Sequence, residues 1–142
     1  MILDCKLNGI GFPCYATDGS VGLDLQARLT EPNITISPGC VELISTGFSI
    51  DIPDGYAGFV FIRSSVAKRG LSLANGTGLI DSDYQGEIKL LLQNNTAEWI
   101  KIHESDRLAQ LVITPICRVN LNKVDKFEPT VRGTGGFGST GR

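Results

Sequence analysis

The ten residues Gly78-Leu-Ile-Asp-Ser-Asp-Tyr-Gln-Gly-Glu87 carry three carboxylates and a tyrosine. A stretch of this composition forms a tight hairpin, and aspartates in turns commonly accept hydrogen bonds from the turn itself. The other reading is chemical. Leu79 and Ile80 ahead of Asp81 predict a partly buried site, where a carboxylate can serve as a general base. The residues alone leave both readings open.

Three further segments offer donors suited to phosphate. Arg63-Ser64-Ser65 stands at the end of an apolar run, ahead of one or two helical turns. A helix start presents free N–H groups, and a guanidinium with two hydroxyls adds to them; the plainer alternative is an N-cap beside a surface arginine. In Asp106-Arg-Leu-Ala-Gln-Leu-Val112, Arg107 and Gln110 interrupt an apolar strand. Polar groups near a core need partners. An internal salt bridge, for instance Arg107 with Asp24, is one answer, and a ligand phosphate on Gln110 is another. The last segment, Arg132 to Arg142, places five of the 17 glycines in eleven residues. It contains GxGxxG at Gly133, Gly135 and Gly138, but no helix can follow, so the dinucleotide-binding reading fails. Glycine-rich backbone can still approach phosphate closely, with Arg132, Ser139, Thr140 and Arg142 as further donors. Phe137, isolated among glycines, suits stacking on a base.

Several chemistries are excluded. With one histidine, His103, neither a Ser-His-Asp arrangement nor a His-rich zinc site is available unless His103 serves alone. Cys5, Cys14, Cys40 and Cys117 match no metal or CxxC spacing and read as buried, reduced packing residues. A net charge of −2 without a basic stripe argues against nucleic-acid binding. No apolar run is long enough to span a membrane, and the N-terminus lacks a signal-peptide pattern, so a cytoplasmic protein without membrane partners is expected.

The elements that must position these groups read as β almost throughout. Apolar and polar residues alternate over Leu23–Ala27, Ile34–Ile36, Val41–Ile50, Tyr56–Ile62, Glu87–Gln93 and Trp99–Ile102. A last apolar run spans Leu108–Val119, with Pro115 marking a bend or an edge. Turn signals at Ser37-Pro-Gly39, Pro53-Asp-Gly55, Asn94-Asn95 and Glu104-Ser-Asp106 separate them. Short strands at this spacing predict an all-β sandwich, jelly roll or barrel. One short helix fits between Ser64, as N-cap, and Gly70, as stop. His103 reads as a surface loop residue. Residues 1–129 form the β core, and residues 130–142 a mobile glycine-rich arm, too poor in apolar surface to order itself.

In sequence order, Val21-Gly-Leu-Asp-Leu25, Arg63-Ser-Ser65, Gly78–Gly86, Asp106–Val112 and Arg132–Gly141 resemble the five-motif layout of the trimeric dUTP pyrophosphatases over nearly the whole chain. Leu-Ile-Asp-Ser-Asp-Tyr-Gln-Gly and Arg-Gly-Thr-Gly-Gly-Phe-Gly-Ser-Thr-Gly are the specific parts. Val21, Ile62 and Ser105 depart from the family's usual alanine, proline and glycine, which affects loop geometry and removes no reacting group. The resemblance implies a jelly-roll (β-clip) subunit and a homotrimer whose active sites each draw on three chains. It implies hydrolysis of dUTP to dUMP and pyrophosphate with Mg²⁺, which keeps uracil out of DNA and supplies dUMP for dTMP synthesis. It places uracil against Asn75, Gly78, Leu79 and Ile80, deoxyribose against Tyr84, and the α- and β-phosphates on Arg63, Ser64, Ser65 and Gln110. Asp81 would orient the attacking water, Asp24 would hold a water of the Mg²⁺ shell, and Lys89 would contribute at the nucleotide. The arm would bring Phe137 over uracil, with Arg132, Gly138 and Ser139 at the phosphates. Two rivals share parts of this pattern: a dCTP deaminase, which differs at the catalytic hairpin and lacks the arm, and a nucleotide-sensing or structural trimer without catalysis.

Overall fold

The computed structural model describes residues 1–9, 12–137 and 139. Among them the chain forms eleven strands and one helix. These are β1 (Cys5–Leu7), β2 (Leu23–Gln26), β3 (Asn33–Ile36), β4 (Val41–Ser45), β5 (Phe48–Ile50), β6 (Tyr56–Ile62), α1 (Ser64–Lys68), β7 (Leu71–Leu73), β8 (Gly78–Ile80), β9 (Lys89–Asn94), β10 (Ile100–His103) and β11 (Arg107–Pro115). Every pairing is antiparallel: a four-stranded sheet in the order β2-β11-β6-β8, a three-stranded sheet β4-β9-β7, and the pairs β1-β5 and β10-β3. This is the expected all-β jelly-roll with a single short helix.

Strand alternation builds the core. In β9, Leu90, Leu92 and Asn94 point inward while Lys89 and Leu91 face out, and in β10 Ile100 and Ile102 point inward. Leu90, Leu92, Ile100 and Ile102 join Leu25, Ile36, Ile44, Val60, Leu108 and Leu111 in one cluster that bridges the sheets. Asn94, fully buried, donates through Nδ2 to the carbonyls of Ile36 (3.0 Å) and Glu98 (2.7 Å) and accepts from Thr96 N–H. A buried amide bonded in this way is not a liability to the core.

Several expectations need correction. The run Val41–Ile50 is two strands, because the chain bends at Gly47, whose φ is 65° and where a Cβ would meet the Asn8 carbonyl at 2.9 Å. Ser64 is the first residue of α1, not its cap. Arg63 occupies the cap position with extended backbone and no side-chain cap bond. Gly70 ends the helix as expected, at φ 87°. The last strand stops at Pro115, and residues 118–131 form no strand or helix and are exposed. His103 closes β10 and does not lie in a loop. Cys14, Cys40 and Cys117 are exposed and only Cys5 is partly buried; all four are free. Cys5–Leu7 and Leu71–Leu73, three residues each, are too short for periodicity to reveal. Among the described residues no helix is long and apolar enough to cross a membrane.

Candidate active site

Two edge strands frame the first half of the site. β7 ends the three-stranded sheet and β8 ends the four-stranded one, so each has one edge without a strand partner in its sheet. The turn Ala74–Thr77 joins them. Gly76, at φ 72°, lets it reverse, and its N–H bonds the Leu73 carbonyl at 2.9 Å. Gly78 lies opposite Val60, and a Cβ there would come within 3.0 Å of the Val60 Cβ. Asn75 and Leu79 are exposed, and Gly78 and Ile80 are half-buried. An open strand edge offers backbone donors and acceptors in fixed order, which is what reading the edge of a flat base requires.

β8 runs directly into the carboxylate turn. Tyr84 N–H bonds the Asp81 carbonyl at 3.2 Å, and Tyr84 Oη donates to the Glu87 carbonyl at 2.8 Å. The tyrosine ring lies over the bare Cα of Gly86, where a Cβ would sit 2.6 Å from Oη. Glu87 fastens the turn to the β4–β5 corner by accepting from Thr46 N–H (3.0 Å) and Gly47 N–H (2.8 Å). Burial opposes the charge of Glu87. The hydrogen bonds from Gly47, Ser45 and Thr46, with the Lys89 ammonium 3.9 Å away, outweigh that and hold its carboxyl below the usual carboxylate range. The sequence singled out the three carboxylates of this hairpin without separating them. Glu87 holds the hairpin in place, whereas Asp81 and Asp83 are free to face a ligand. Asp81 is exposed, not partly buried as expected, because Leu79 beside it also faces outward.

The second half of the site is organised by Asp24, 2% exposed. Arg63 Nη1 bonds its Oδ1, Arg107 Nη1 lies 3.2 Å from Oδ2, and Gln110 Nε2 lies 3.3 Å from Oδ1. The salt bridge between Arg107 and Asp24 is thus present, and Gln110 joins the same carboxylate. Gly22 makes room: a Cβ there would meet the Gln110 Cβ at 2.8 Å. Ser64 and Ser65 follow Arg63 as the exposed first residues of α1. The arm is a series of turns, with Gly133 N–H on the Thr130 carbonyl, Gly135 N–H on Arg132 and Ser139 N–H on Gly136. Arg132, Phe137 and Ser139 are exposed; Gly138 lies outside the described residues.

One chain does not bring these halves together. Ile80 pairs with Gly58, so Asp81 falls at the Ala57 end of β6 while Arg63 leaves the opposite end. At about 3.3 Å per residue the two are about 20 Å apart along the ladder. A contact that sequence reasoning missed lies at the Asp81 end. Arg118, just past β11, pairs with Asp54 (2.8 Å) and donates to Ser82 Oγ (3.2 Å). It ties the root of the tail to the Asp81 hairpin, and no local pattern announces it.

The sequence model of the dUTPase family matches residues 9–141. This chain belongs to the dUTPase family. It is 48% identical over 144 residues to a deoxyuridine 5'-triphosphate nucleotidohydrolase of Alcanivorax borkumensis, covering 99% of the chain and 95% of that protein. A protein of the same name from Hahella chejuensis is also 48% identical, over 143 residues, covering 99% of the chain and 93% of that protein. Among solved structures, a variant of the Staphylococcus bacteriophage 80alpha dUTPase with dUpNHpp superposes with a TM-score of 0.86 at 27% identity, covering 99% of each chain. A variant of the dUTPase of phage phi11 of S. aureus, described for its coordination of a structural Mg(II) ion, superposes at 0.81 with 25% identity, covering 91% of this chain and 100% of that one. As a family member the chain is a dUTP diphosphatase, and the deaminase and non-catalytic alternatives lapse.

Proposed function

We propose that the dUTPase reaction of this chain is carried by Asp81 at the open end of one subunit's β6–β8 ladder, acting on a triphosphate held by Arg63, Ser64, Ser65 and Gln110 of another. The observation that carries this reading is the separation of about 20 Å along one ladder. Asp81 and Arg63 of the same chain cannot both serve one α-phosphorus. A second copy that turns its Arg63 end toward the first one's Asp81 end solves this, and closed symmetric assembly does it for every chain at once. An apolar face supports such contact. Phe61 (43% exposed), Leu79 (59%), Phe59 and Val112 share the outer side of the four-stranded sheet, beside the Asp24 cluster. A trimer also accounts for the arm. Phe137 lies nineteen positions after Arg118, and at full extension that stretch reaches about 60 Å, enough to cross to a neighbour.

Uracil enters the open edge between Asn75 and Ile80. Backbone groups there pair with its O4 and N3–H, assisted by the Asn75 amide. Cytosine presents the reverse donor pattern, leaving groups unpaired on both sides, which can discriminate by about 10⁴ or more. Close backbone at Gly78 excludes the thymine methyl. Tyr84, held flat over Gly86, lies against deoxyribose and leaves no space for a 2′-hydroxyl. Asp81 orients a water and takes its proton as the water oxygen bonds to the α-phosphorus; the bond from that phosphorus to the bridging oxygen breaks and pyrophosphate departs. Positioning and charge stabilisation supply most of the rate. Phe137 stacks over uracil and Arg132 meets the γ-phosphate, with Gly138 and Ser139 beside it, while Lys89 faces the nucleotide from β9. The arm's closure excludes bulk water and strengthens these contacts.

The chain's own donors bear on magnesium. Among the described residues no three His, Cys, Asp or Glu side chains cluster as a cage, and Asp24 already serves Arg63, Arg107 and Gln110. This donor set fits a cation carried by the triphosphate and water, with Asp24 reaching it through a water at most. When bound, the ion neutralises phosphate charge and favours departure of pyrophosphate. Pyrophosphate release measured with dUTP, dCTP, dTTP and UTP, with and without magnesium, tests the reading. Turnover confined to dUTP and dependent on magnesium is expected. Ammonia from dCTP, or equal turnover of UTP, would refute it.

A further inference from the structure

We propose that Arg118 is a positioning residue for the hydrolytic step, bracing the Asp81 turn through Ser82 against the Asp54 turn so that the Asp81 carboxylate keeps one aim; this rests on the reading of Asp81 proposed above. Three observations point to it. First, without Arg118 the turn is held firmly at one end only. Downstream, Glu87 accepts from Thr46 and Gly47 N–H, and Tyr84 Oη donates to the Glu87 carbonyl. Upstream, the pairing of β8 with β6 stops at Ile80. Among the described residues, the stretch from Asp81 to Asp83 accepts one backbone bond, from Tyr84 N–H at 3.2 Å, and one side-chain bond, from Arg118 Nη2 to Ser82 Oγ at 3.2 Å. Second, the brace has a firm base. Arg118 Nη1 holds Asp54 Oδ1 at 2.8 Å. Tyr56 N–H closes the Asp54 turn on the Pro53 carbonyl (3.1 Å), and Ile116 N–H, two residues before Arg118, bonds the Gly55 carbonyl at 2.9 Å. The tail thus leaves β11, crosses the end of β6 and reaches the turn after β8. A guanidinium is planar, so its two Nη groups fix the spacing of the two turns they bond. Third, the contact spares the base. Asp54 takes the charge of Arg118, and the hairpin is bonded through a neutral hydroxyl beside Asp81. An ion pair on Asp81 itself would favour its charged form and weaken it as a proton acceptor.

The Arg118 side chain is 67% exposed and that of Asp54 84%, and a pair so exposed adds little to stability. A kinetic effect without a stability effect is therefore the signature. Arg118→Met, Arg118→Lys, Ser82→Ala and the R118M/S82A double variant, made in the full chain with Asp81→Asn as reference, are compared by single-turnover pyrophosphate release, dUTP KM and melting temperature. R118M and S82A should each slow the single turnover about tenfold, because a displaced base loses its alignment with the water. The KM should stay within about twofold, because no bond to the nucleotide is removed. The melting temperature should stay within about 4 °C. The double variant should be no slower than either single one, as for two residues acting as one unit. R118K should not restore the rate, because an ammonium lacks the planar fork. Full rate in R118K shows that charge alone suffices and overturns the brace. A raised KM with an unchanged rate overturns it too. If R118M or S82A keeps the full rate while Asp81→Asn is inactive, the inference falls alone; if Asp81→Asn is itself near normal, the Asp81 reading falls with it. Should R118M fold poorly, S82A decides, since it removes only the hydroxyl that Arg118 grips.

Discussion

If each active site takes Asp81 from one chain and Arg63 from another, two inactive variants should rescue each other. Asp81→Asn removes the proton acceptor, and Arg63→Gln removes a phosphate donor while Asp24 keeps Arg107 and Gln110 as partners, so the second variant should fold. When the two are co-expressed and assemble at random, a site is intact only when its Asp81 comes from the Arg63→Gln chain and its Arg63 from the Asp81→Asn chain. Each condition holds half the time, so about one quarter of the sites should be intact and activity should recover to about one quarter of wild type. Differently tagged chains allow mixed assemblies to be purified, in which a trimer has about one third of its sites intact, and pyrophosphate release reads the outcome. Sites built within single chains would give no recovery in the same assemblies. That result would refute the argument from the span between Ala57 of β6 and Arg63, because it would mean the two groups meet despite lying at opposite ends of one ladder.

Asp81→Asn alone should lower kcat by about 10²–10⁴ while dUTP still binds, seen by turnover assay and calorimetry; near-normal turnover removes Asp81 as the base. A chain ending after Thr130 should keep its melting temperature and oligomeric state yet hydrolyse dUTP poorly, and full activity would show the arm is dispensable. Glu87→Gln should cost about 1 kcal/mol at neutral pH, because charge-assisted bonds to Thr46 and Gly47 are lost. The folded protein holds the Glu87 carboxyl below its ordinary range, so this contribution is complete above that range and disappears as pH falls through the folded-state value. The melting-temperature gap between wild type and variant should narrow on acidification, and a constant gap contradicts the assignment. Ser105 occupies φ 66°, a conformation that favours glycine. Ser105→Gly should raise stability in denaturant titration by about 1 kcal/mol, and a loss would show that the serine side chain compensates its strain.

Most of the long strands were legible because alternation survives wherever one face is buried, as in Tyr56–Ile62, whose bounds match. The breaks were not. Gly47 splits Val41–Ile50 through a backbone bend that two flanking apolar runs conceal, and β1 and β7 are too short for any period. At the site, residue types identified the donors but not their bonds. Asp24 reads as one acidic residue in an apolar strand, and its three partners lie 39, 83 and 86 positions away. The bulge at Leu108, where the pairing of β11 with β2 slips and Arg107 turns toward Asp24, leaves no local mark beyond a charged residue at the start of a strand. Asp81 looked half-buried because Leu79 and Ile80 precede it, yet Leu79 points outward and Asp81 stands exposed. Apolar neighbours in sequence do not bury a residue when they themselves face outward, and a linear pattern cannot register that.

The same ladder explains why the chemistry is spread so widely along a chain of 142 residues. Strand rise is nearly incompressible, so β6 holds its two ends a fixed distance apart, with β8 and β11 paired alongside. On the proposed reading, that rigidity suits each end separately: an open edge that reads a base on one side, and a buried carboxylate that aims phosphate donors on the other. No loop of either end spans the gap, because the Asp81 turn is tied down by Glu87 and Arg63 by Asp24. Precision at both ends and proximity between them are incompatible within one subunit. The proposed assembly of identical copies resolves the conflict, since each copy would then present its base-reading end to a neighbour's phosphate end without either being loosened.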